Sequence, residues 1–316
     1  MIPNYLGILV GLSLLLYGAN CFVEGAANIA RHLGMPPLLI GLTIVGMATS
    51  APELLVGLIA ALDGKTEIAI GNAIGSNIAN IGLVLGLTVM FIPVTIASQT
   101  LKWEYIIMFL AIALPWALMS DQNLSRHDGG FLLLGLAVAM FFLIYLSRKS
   151  TRTDPLRAEF EIEIPEESKI SKGVRNFLLG LILLLGGAYL LVEHAVIVAK
   201  HFGLSDLVIG LTIIAVGTSL PELAASITAA KKNEAGIAIG NVIGSNMYNM
   251  FAVIGIPGMI HATDIDSRVF SRDFPVMIGL TLLMGCFIHG SGKFDRVVGS
   301  TLFLCFIAYQ YWLFNG

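Results

Sequence analysis

The chain has 316 residues, of which 56% are hydrophobic and 12% charged, and its formal net charge is −3. This composition excludes an ordinary soluble domain, in which about 25% of the residues are charged. The mean hydropathy of +0.85 predicts an integral membrane protein instead. The sequence contains no basic patch for nucleic acid, no phosphate-binding loop and no nucleophile motif, so neither a nucleic-acid-binding protein nor an enzyme is predicted.

Uncharged or nearly uncharged runs recur along the whole chain, and each is long enough to cross a bilayer as a helix of about 20 residues. Helices are expected because the runs are too long and unbroken for the alternating pattern of membrane barrel strands. We predict ten membrane helices, numbered here as spans 1 to 10, at residues 4–30, 37–62, 67–92, 101–119, 129–147, 174–200, 206–230, 235–260, 273–290 and 295–314.

The distribution of basic residues predicts how the chain sits in the membrane. No basic residue precedes Arg31 and no cleavage pattern follows span 1, which favours a retained helix over a signal peptide. Of the 18 Lys and Arg residues, thirteen fall on the side that holds segment 148–173. Because cytoplasmic loops carry the excess of basic residues, we expect this segment in the cytoplasm and both termini outside the plasma (inner) membrane.

Two pairs of motifs recur at one offset of 169 residues. GLTIVGMATSAPEL at 41–54 and GLTIIAVGTSLPEL at 210–223 agree at nine of fourteen positions, and GNAIGSNIAN at 71–80 and GNVIGSNMYN at 240–249 agree at seven of ten. Five predicted spans separate equivalent points, and an odd number reverses direction across the membrane. The sequence therefore predicts inverted repeats, an arrangement typical of secondary transporters with a site at the repeat interface.

These features define the predicted architecture. We expect an all-α membrane protein of ten transmembrane helices arranged as two inverted five-helix repeats. The first repeat covers 1–147, the cytoplasmic linker 148–173 and the second repeat 174–316.

Spans 2 and 7 each contain a proline that is predicted to break the helix. Pro52 has no N–H group, so the carbonyl of Ala48 loses its helical partner, and Pro221 does the same to Gly217. Freed carbonyls at membrane depth are tolerated where they are buried in protein or face a water-filled cavity, and there they can coordinate a cation.

Each proline is followed by a glutamate in an apolar surrounding. A carboxylate at the centre of a membrane helix costs about 2.5 to 3.5 kcal/mol unless it is protonated, paired or bound to a cation. Spans 2, 3, 7 and 8 place no Lys or Arg near Glu53 or Glu222, so a mobile cation is the expected partner. Thr49 and Thr218 precede these glutamates by four residues and share their helix faces.

Spans 3 and 8 each carry a polar stripe at four-residue spacing. Helix-to-helix hydrogen bonding would account for such stripes, but beside the glutamates they also offer amide and hydroxyl oxygens to an ion. An all-oxygen donor set suits hard cations such as Ca²⁺, Na⁺ or Mg²⁺, and a flexible cage of many oxygens fits Ca²⁺ better than Mg²⁺. The stripes comprise Asn72, Ser76 and Asn80 in span 3, and Asn241, Ser245 and Asn249 in span 8.

At these motifs the chain resembles the sodium/calcium exchanger branch of the cation/calcium exchanger superfamily, as a compact prokaryotic-type member. GTSLPEL at 217–223 and GNVIGSN at 240–246 match the family's alpha-repeat signatures closely, and ATSAPEL with GNAIGSN matches slightly less well. The resemblance covers essentially the whole chain. It implies an antiporter that exchanges Ca²⁺ for Na⁺ by alternating access, in which spans 1 and 6 slide across the core. The resemblance implies no cofactor, and the expected partners are the transported ions and membrane lipid. A monomer is compatible with the sequence.

The resemblance also implies the ligands. Glu53 and Glu222 would bind Ca²⁺ together with oxygens of Thr49 and Thr218. The other implied ligands are the side chains of Asn80 and Asn249 in the central layer, and the side chains of Ser76 and Ser245 with the carbonyls of Gly46 and Ala215 at flanking sodium sites.

Several features depart from the family pattern. Ala48 replaces a common Gly and Ala51 a usual Leu, but neither change removes a ligand. Asn249 stands where some relatives carry Asp, which leaves two formal charges in the core and argues against potassium co-transport. The linker is also too short for a regulatory β-sandwich of about 100 residues.

The residues leave alternatives open. A calcium/proton exchanger could use the same two carboxylates, although the additional hydroxyl and amide oxygens fit sodium better. A cation channel is disfavoured by the inverted repeat and the broken helices, and a purely structural membrane protein comes last. Glu24 and Glu193, which the repeat also pairs, could gate the ion path or lie in a polar cleft. The acidic run at 159–167 is predicted to be a solvated face.

Overall fold

The computed structural model describes residues 2–95, 99–149, 169–202, 215–289 and 293–315. Nearly all of these residues are helical. The α-helices are α1 Ile2–Leu33, α2 Pro37–Ile40, α3 Gly46–Thr49, α4 Ala51–Leu62, α5 Thr66–Ala79, α6 Gly86–Phe91, α7 Gln99–Leu118, α8 Arg126–Lys149, α9 Ile170–His201, α10 Ala215–Thr218, α11 Leu220–Lys231, α12 Ala235–Tyr248, α13 Ile254–Ile260, α14 Phe274–His289 and α15 Arg296–Asn315.

Short π-helical segments interrupt several of these helices, and two small sheets connect distant parts of the chain. The π segments are Gly41–Val45, Asn80–Leu85, Asn249–Val253 and Val269–Asp273. The strands are β1 Val94–Thr95, β2 Asn123–Leu124, β3 Thr263–Asp264 and β4 Lys293–Phe294, in antiparallel pairs β1 with β4 and β2 with β3. Each sheet therefore joins one strand from the first half of the sequence to one from the second.

Seven helices in the described ranges are long and apolar enough to cross a membrane, and an eighth span results if the bent pair α2–α3 and α4 is counted as one. These eight correspond to predicted spans 1 to 6, 8 and 9. Predicted span 7 falls partly on 203–214, outside the described residues, and span 10 is the 20-residue helix α15, which is not among the seven. The linker 148–173 also lies largely outside the described ranges, together with its acidic run.

The proline-containing spans break where the sequence predicts. Span 2 bends by 44° between α3 and α4, with Ser50 as the single residue between them. In span 7, Ser219 separates α10 from α11, and a proline occupies the first turn of the helix that follows each break. The missing proline N–H explains both breaks, because the preceding turn cannot continue its hydrogen-bond ladder.

Helices α1 and α9 pack antiparallel along most of their length. Gly18 and Gly180 face each other's helix backbone, since a Cβ atom on Gly18 would lie 2.5 Å from the Leu184 nitrogen and one on Gly180 would meet the Phe22 nitrogen. Because glycine has no side chain, the two helix backbones can approach each other closely at these points, as small residues allow in other membrane helices. At the end of α1, Arg31 Nη2 lies 2.8 Å from Glu234 Oε1, just before α12.

The centre of the molecule is formed by span 8. The most apolar stretch of Ala235–Ile260 is completely buried by the rest of the protein. Gly240 and Gly244 allow this position, because a Cβ atom on either would collide with the carbonyl oxygens of Leu38 and Leu42 in span 2. The polar stripe of span 8 therefore faces other parts of the protein.

Candidate ion-binding site

Glu53 and Glu222 are buried at equivalent points of the two broken spans, with 1% and 0% of their surface exposed. Each lies in the first turn of a helix, α4 or α11, that begins directly after the break. The N-terminal end of a helix carries a partial positive charge and unpaired N–H groups, which stabilise an anionic side chain. The breaks therefore create the local environment that a buried carboxylate needs.

The two carboxylates meet at the interface of the two sequence repeats. Ser50 Oγ, from the first break, donates to Glu222 Oε1 at 3.3 Å, and the Thr49 hydroxyl lies beside the same carboxylate. Ser76 Oγ of α5 donates to Glu53 Oε1 at 3.5 Å. Because Ser50 precedes Glu53 by only three residues, its contact with Glu222 brings the two glutamates near each other. The site is therefore assembled from both repeats.

A cluster of neutral oxygens adjoins Glu222. Thr49 Oγ1 donates to Asn241 Oδ1 at 3.0 Å and lies 3.4 Å from Ser245 Oγ. The Gly46 carbonyl accepts hydrogen bonds from Ser245 Oγ at 3.3 Å and Thr49 Oγ1 at 3.4 Å. Hydroxyl groups rotate and keep lone pairs available, so these oxygens could turn towards a cation.

Two asparagines fix the backbone of the glutamates in the same way in each repeat. Asn72 Nδ2 donates to the Glu53 carbonyl at 3.2 Å, and Asn241 Nδ2 donates to the Glu222 carbonyl at 3.3 Å. The first residues of the polar stripes therefore hold spans 3 and 8 against the broken spans, which positions the carboxylates. This contact is helix-to-helix hydrogen bonding, the simpler of the two interpretations of the stripes.

The last residue of each polar stripe, Asn80 or Asn249, has a buried side-chain amide without hydrogen-bond partners among the described residues. In the described part of the chain, neither the Oδ1 nor the Nδ2 atom of Asn80 or Asn249 has a hydrogen-bond partner, and the same is true of Oε2 in Glu53 and Glu222. Most buried polar atoms in proteins are paired, because an unpaired one costs about 1–3 kcal/mol. The unpaired oxygens of these four side chains fit a site that a cation would satisfy.

The chemistry of this site is set by oxygen alone. Within the described ranges, no Lys, Arg or His side chain forms a hydrogen bond or an ion pair with Glu53 or Glu222. The same ranges contain no group of three or more His, Cys, Asp and Glu residues arranged to hold a metal ion. The donor set thus combines two carboxylates with hydroxyl, amide and carbonyl oxygens, which hard cations prefer.

The predicted residues on the other side of the site are only partly described. Ala215 and Thr218 are the first and last residues of α10, which packs against α5, the helix of Ser76. The preceding segment, 203–214, lies outside the described residues. Unlike the two buried glutamates, Glu24 has a side chain that is 57% exposed, and its Oε2 atom lies 4.0 Å from Lys232 Nζ.

Ser50 is the residue that the sequence analysis missed. Its signal was present, because the serine recurs in both copies as Ser50 and Ser219, two residues before each proline. The contact of Ser50 with Glu222 reaches from one repeat to the other, and spacing within a single helix cannot reveal such a contact.

The fold and the oxygen-lined centre define a helical, multi-pass membrane protein with a candidate cation site. The chain belongs to the sodium/calcium exchanger protein family, whose family model matches residues 3–145 and 173–315. The resemblance noted from the motifs is thereby confirmed.

Individual relatives span almost the full chain. The chain is 44% identical over 312 residues to "Putative antiporter CaxA" of Alkalimonas amylolytica, covering 98% of both proteins. It is 38% identical to inner membrane protein YrbG of Escherichia coli (strain K12), covering 97% of this chain and 96% of that protein. It is 31% identical to sodium/calcium exchanger MaX1 of Methanosarcina acetivorans, covering 98% of each.

A solved structure shares the fold. The sodium-calcium exchanger NCX_Mj, soaked with 2.5 mM Na⁺ and 0.1 mM Ca²⁺, superposes with a TM-score of 0.84 at 31% identity and covers 98% of this chain and 97% of that one. The likeness therefore extends over both sequence repeats.

Proposed function

We propose that this protein is a secondary antiporter that exchanges Ca²⁺ for Na⁺ by alternating access. The observation that carries the proposal is the meeting of Glu53 and Glu222, both fully buried, across the repeat interface with no cationic side chain bonded to them in the described ranges. Two carboxylates balance the charge of one Ca²⁺. Membership of the exchanger family supports the same assignment.

The remaining proposed ligands are those that the family resemblance implies. Thr49 and Thr218 would add oxygens to the Ca²⁺ site, and Asn80 and Asn249 would complete the central layer. Sodium would bind on either side, through Ser76 and Ser245 and the carbonyls of Gly46 and Ala215. The proximity of the Gly46 carbonyl to Ser245 Oγ supports one of these sodium sites.

The proposed membrane architecture is the ten-helix inverted repeat. The first repeat would be 1–147, the linker 148–173 and the second repeat 174–316, with both termini outside the inner membrane. The matched hydrogen bonds from Asn72 and Asn241 to the two glutamate carbonyls support an equivalent role for the two repeats.

The second candidate is a calcium/proton exchanger, in which Glu53 and Glu222 would carry protons when Ca²⁺ leaves. The cluster of Gly46, Thr49 and Ser245 favours sodium, because carbonyl and hydroxyl oxygens bind Na⁺ but do not take up protons near neutral pH.

Sodium coupling is tested with purified protein in liposomes loaded with Na⁺ and diluted into Na⁺-free buffer that contains radiolabelled Ca²⁺. We expect Ca²⁺ uptake driven by the outward sodium gradient. A parallel set of liposomes receives an imposed proton gradient with no sodium gradient, and liposomes without protein measure leakage. Uptake driven only by protons would favour the second candidate, and uptake under neither gradient would contradict both.

Acid is expected to inhibit Ca²⁺ uptake. A protonated carboxyl group has lost the negative charge that attracts Ca²⁺, so the proportion of binding-competent protein decreases as pH falls. The half-saturating Ca²⁺ concentration should therefore rise with proton concentration, whereas the maximal rate at saturating Ca²⁺ changes less. The measurement is a series of initial rates at equal pH on both sides of the membrane. An affinity that stays constant into the acid range would contradict direct carboxylate coordination.

A further inference from the structure

Tyr248 connects the centre of the second repeat to the broken span of the first. It is the last residue of α12, it is 8% exposed, and its hydroxyl donates to the carbonyl of Thr43 at 3.2 Å. The same hydroxyl lies 3.3 Å from Met140 Sδ, which is a weaker acceptor. The stronger of these contacts therefore links Tyr248 to span 2.

The Thr43 carbonyl lies within the π segment Gly41–Val45, where the regular α-helical ladder is interrupted. It accepts a second hydrogen bond, from the backbone N–H of Gly46. Tyr248 and Gly46 thus share one acceptor. The same Gly46 N–H also donates to the Gly41 carbonyl. Holding the Thr43 carbonyl from the outside therefore helps to fix the peptide unit that joins Val45 to Gly46, which directly precedes the Gly46 carbonyl.

The carbonyl of Gly46 is the backbone oxygen in the cluster with Thr49 and Ser245. In the proposed function it is a sodium ligand. The contacts therefore lead from the Tyr248 hydroxyl through Thr43 to the backbone N–H of Gly46, the residue whose own carbonyl belongs to the proposed sodium site. They pass through neither glutamate.

The residue equivalent to Tyr248 in the first repeat cannot form such a hydrogen bond. Ala79 occupies the position equivalent to Tyr248, and each is followed by an asparagine that begins a π segment. Alanine has no hydroxyl group with which to anchor span 7. The hydrogen bond from Tyr248 to Thr43 therefore distinguishes the two halves of the site, although their ligand motifs are closely similar.

We propose that Tyr248 is a positioning residue that sets the Gly46 carbonyl for Na⁺, and that it thereby tunes sodium affinity on one side of the site. This inference rests on the proposed sodium/calcium exchange. It predicts an effect on Na⁺ that exceeds any effect on Ca²⁺. The hydrogen bond from Tyr248 supports the backbone next to the Gly46 carbonyl of the sodium cluster, whereas the backbones of the two glutamates are held by Asn72 and Asn241.

The test is Tyr248→Phe, which removes the hydroxyl and keeps the ring. We expect the half-saturating Na⁺ concentration for sodium-driven Ca²⁺ uptake to rise by about 2- to 10-fold, the size of effect associated with one hydrogen bond. The half-saturating Ca²⁺ concentration should stay near the wild-type value. Both are measured in proteoliposomes, together with the thermal unfolding temperature of the purified protein.

Tyr105→Phe is the matched control. Tyr105 is 7% exposed, and its hydroxyl donates to the Thr281 carbonyl at 3.0 Å, far along the chain from the sodium cluster. Both variants lose one buried tyrosine-to-carbonyl hydrogen bond, so general destabilisation should affect them alike. Met140→Leu, which removes the sulfur contact of Tyr248, should leave sodium dependence unchanged.

The outcomes are distinct. A rise in the sodium requirement in Tyr248→Phe alone supports the positioning role. Unchanged sodium dependence in Tyr248→Phe would overturn the positioning role. So would equal changes for Na⁺ and Ca²⁺ that Tyr105→Phe reproduces. In either case, sodium-driven uptake by the wild-type protein would still support the proposed function. Wild-type uptake driven only by protons would instead overturn the proposed function, and this inference with it.

Discussion

Replacing Glu53 or Glu222 by Gln is expected to lower the initial rate of sodium-driven Ca²⁺ uptake by at least about 100-fold while the protein remains folded. Glutamine keeps the shape of the side chain but removes one of two negative charges that would face a divalent ion. Removing one partner of a buried ion pair costs about 3–5 kcal/mol, which corresponds to two or more decades of affinity. The rate is measured in proteoliposomes with equal amounts of each variant.

Thermal unfolding provides a second measurement for the same variants. A ligand that binds only the folded state raises its stability according to ligand concentration and affinity. Added Ca²⁺ should therefore raise the unfolding temperature of the wild-type protein and have much less effect on Glu53→Gln or Glu222→Gln. This result would separate loss of binding from loss of folding.

Glu104→Gln controls for the loss of a buried acid elsewhere. Glu104 of α7 is 2% exposed and forms no hydrogen bond or ion pair with Glu53 or Glu222. The Glu104→Gln variant should keep both Ca²⁺ transport and the stabilisation of the folded protein by Ca²⁺. Normal transport in Glu53→Gln or Glu222→Gln would refute the assignment of the carboxylates as Ca²⁺ ligands.

Gly180→Leu is expected to remove most folded protein from the membrane, or to lower its unfolding temperature strongly. A Cβ atom at Gly180 would meet the Phe22 nitrogen and lie 2.6 Å from the Phe22 Cα of α1. Backbone atoms cannot relieve the clash by changing rotamer as a side chain can, so α1 and α9 would have to separate. Extra methylenes in a packed core cost about 1–3 kcal/mol even where side chains can adjust. The yield and the unfolding temperature are measured in detergent.

Gly186→Leu is the matched control on the same helix. In the part of the chain that the structure describes, a Cβ atom at Gly186 meets no heavy atom within 4 Å. Glycine is roughly 0.8–1.0 kcal/mol less favourable than alanine inside a helix, and leucine ranks just below alanine. This variant should be as stable as the wild-type protein or more so. An equal loss in both variants would show that close contact between α1 and α9 is not the cause.

The contact between these helices bears on how they could move. Gly18 and Gly180 each face the backbone of the opposite helix, so α1 and α9 form one closely packed pair. The family resemblance implies that spans 1 and 6 slide across the core. Any such motion is expected to carry both helices together, because sliding one past the other would bring side chains onto the glycine contacts.

The glutamates and the helix breaks were predictable because their causes are local. A proline lacks the N–H group of a helical residue wherever it occurs, and the structure breaks span 2 at Ser50 and span 7 at Ser219. A carboxylate in an apolar run needs a compensating environment, which predicts a buried polar site around Glu53 and Glu222. The number of membrane helices, their orientation and the roles of the ligands stay predictions.

Other features of the site depend on neighbours distant in sequence. The hydrogen bond from Ser50 to Glu222 joins residues 172 positions apart, and the one from Tyr248 to Thr43 joins residues 205 positions apart. The π segments that begin at Asn80 and Asn249 also gave no separate signal in the sequence. A π segment is a local departure from the α-helical ladder whose occurrence depends on surrounding packing.

The sequence by itself determined that this chain is a helical membrane protein with duplicated motifs, broken spans and two costly carboxylates, because hydropathy, proline chemistry and charge burial act over one helix turn or one span. Only the tertiary structure decided which oxygens surround each carboxylate. It set Ser50 against Glu222, Ser76 against Glu53 and Tyr248 against the π segment of span 2. These contacts depend on the relative positions of helices from both halves, and glycine contacts between backbones determine how closely those helices pack.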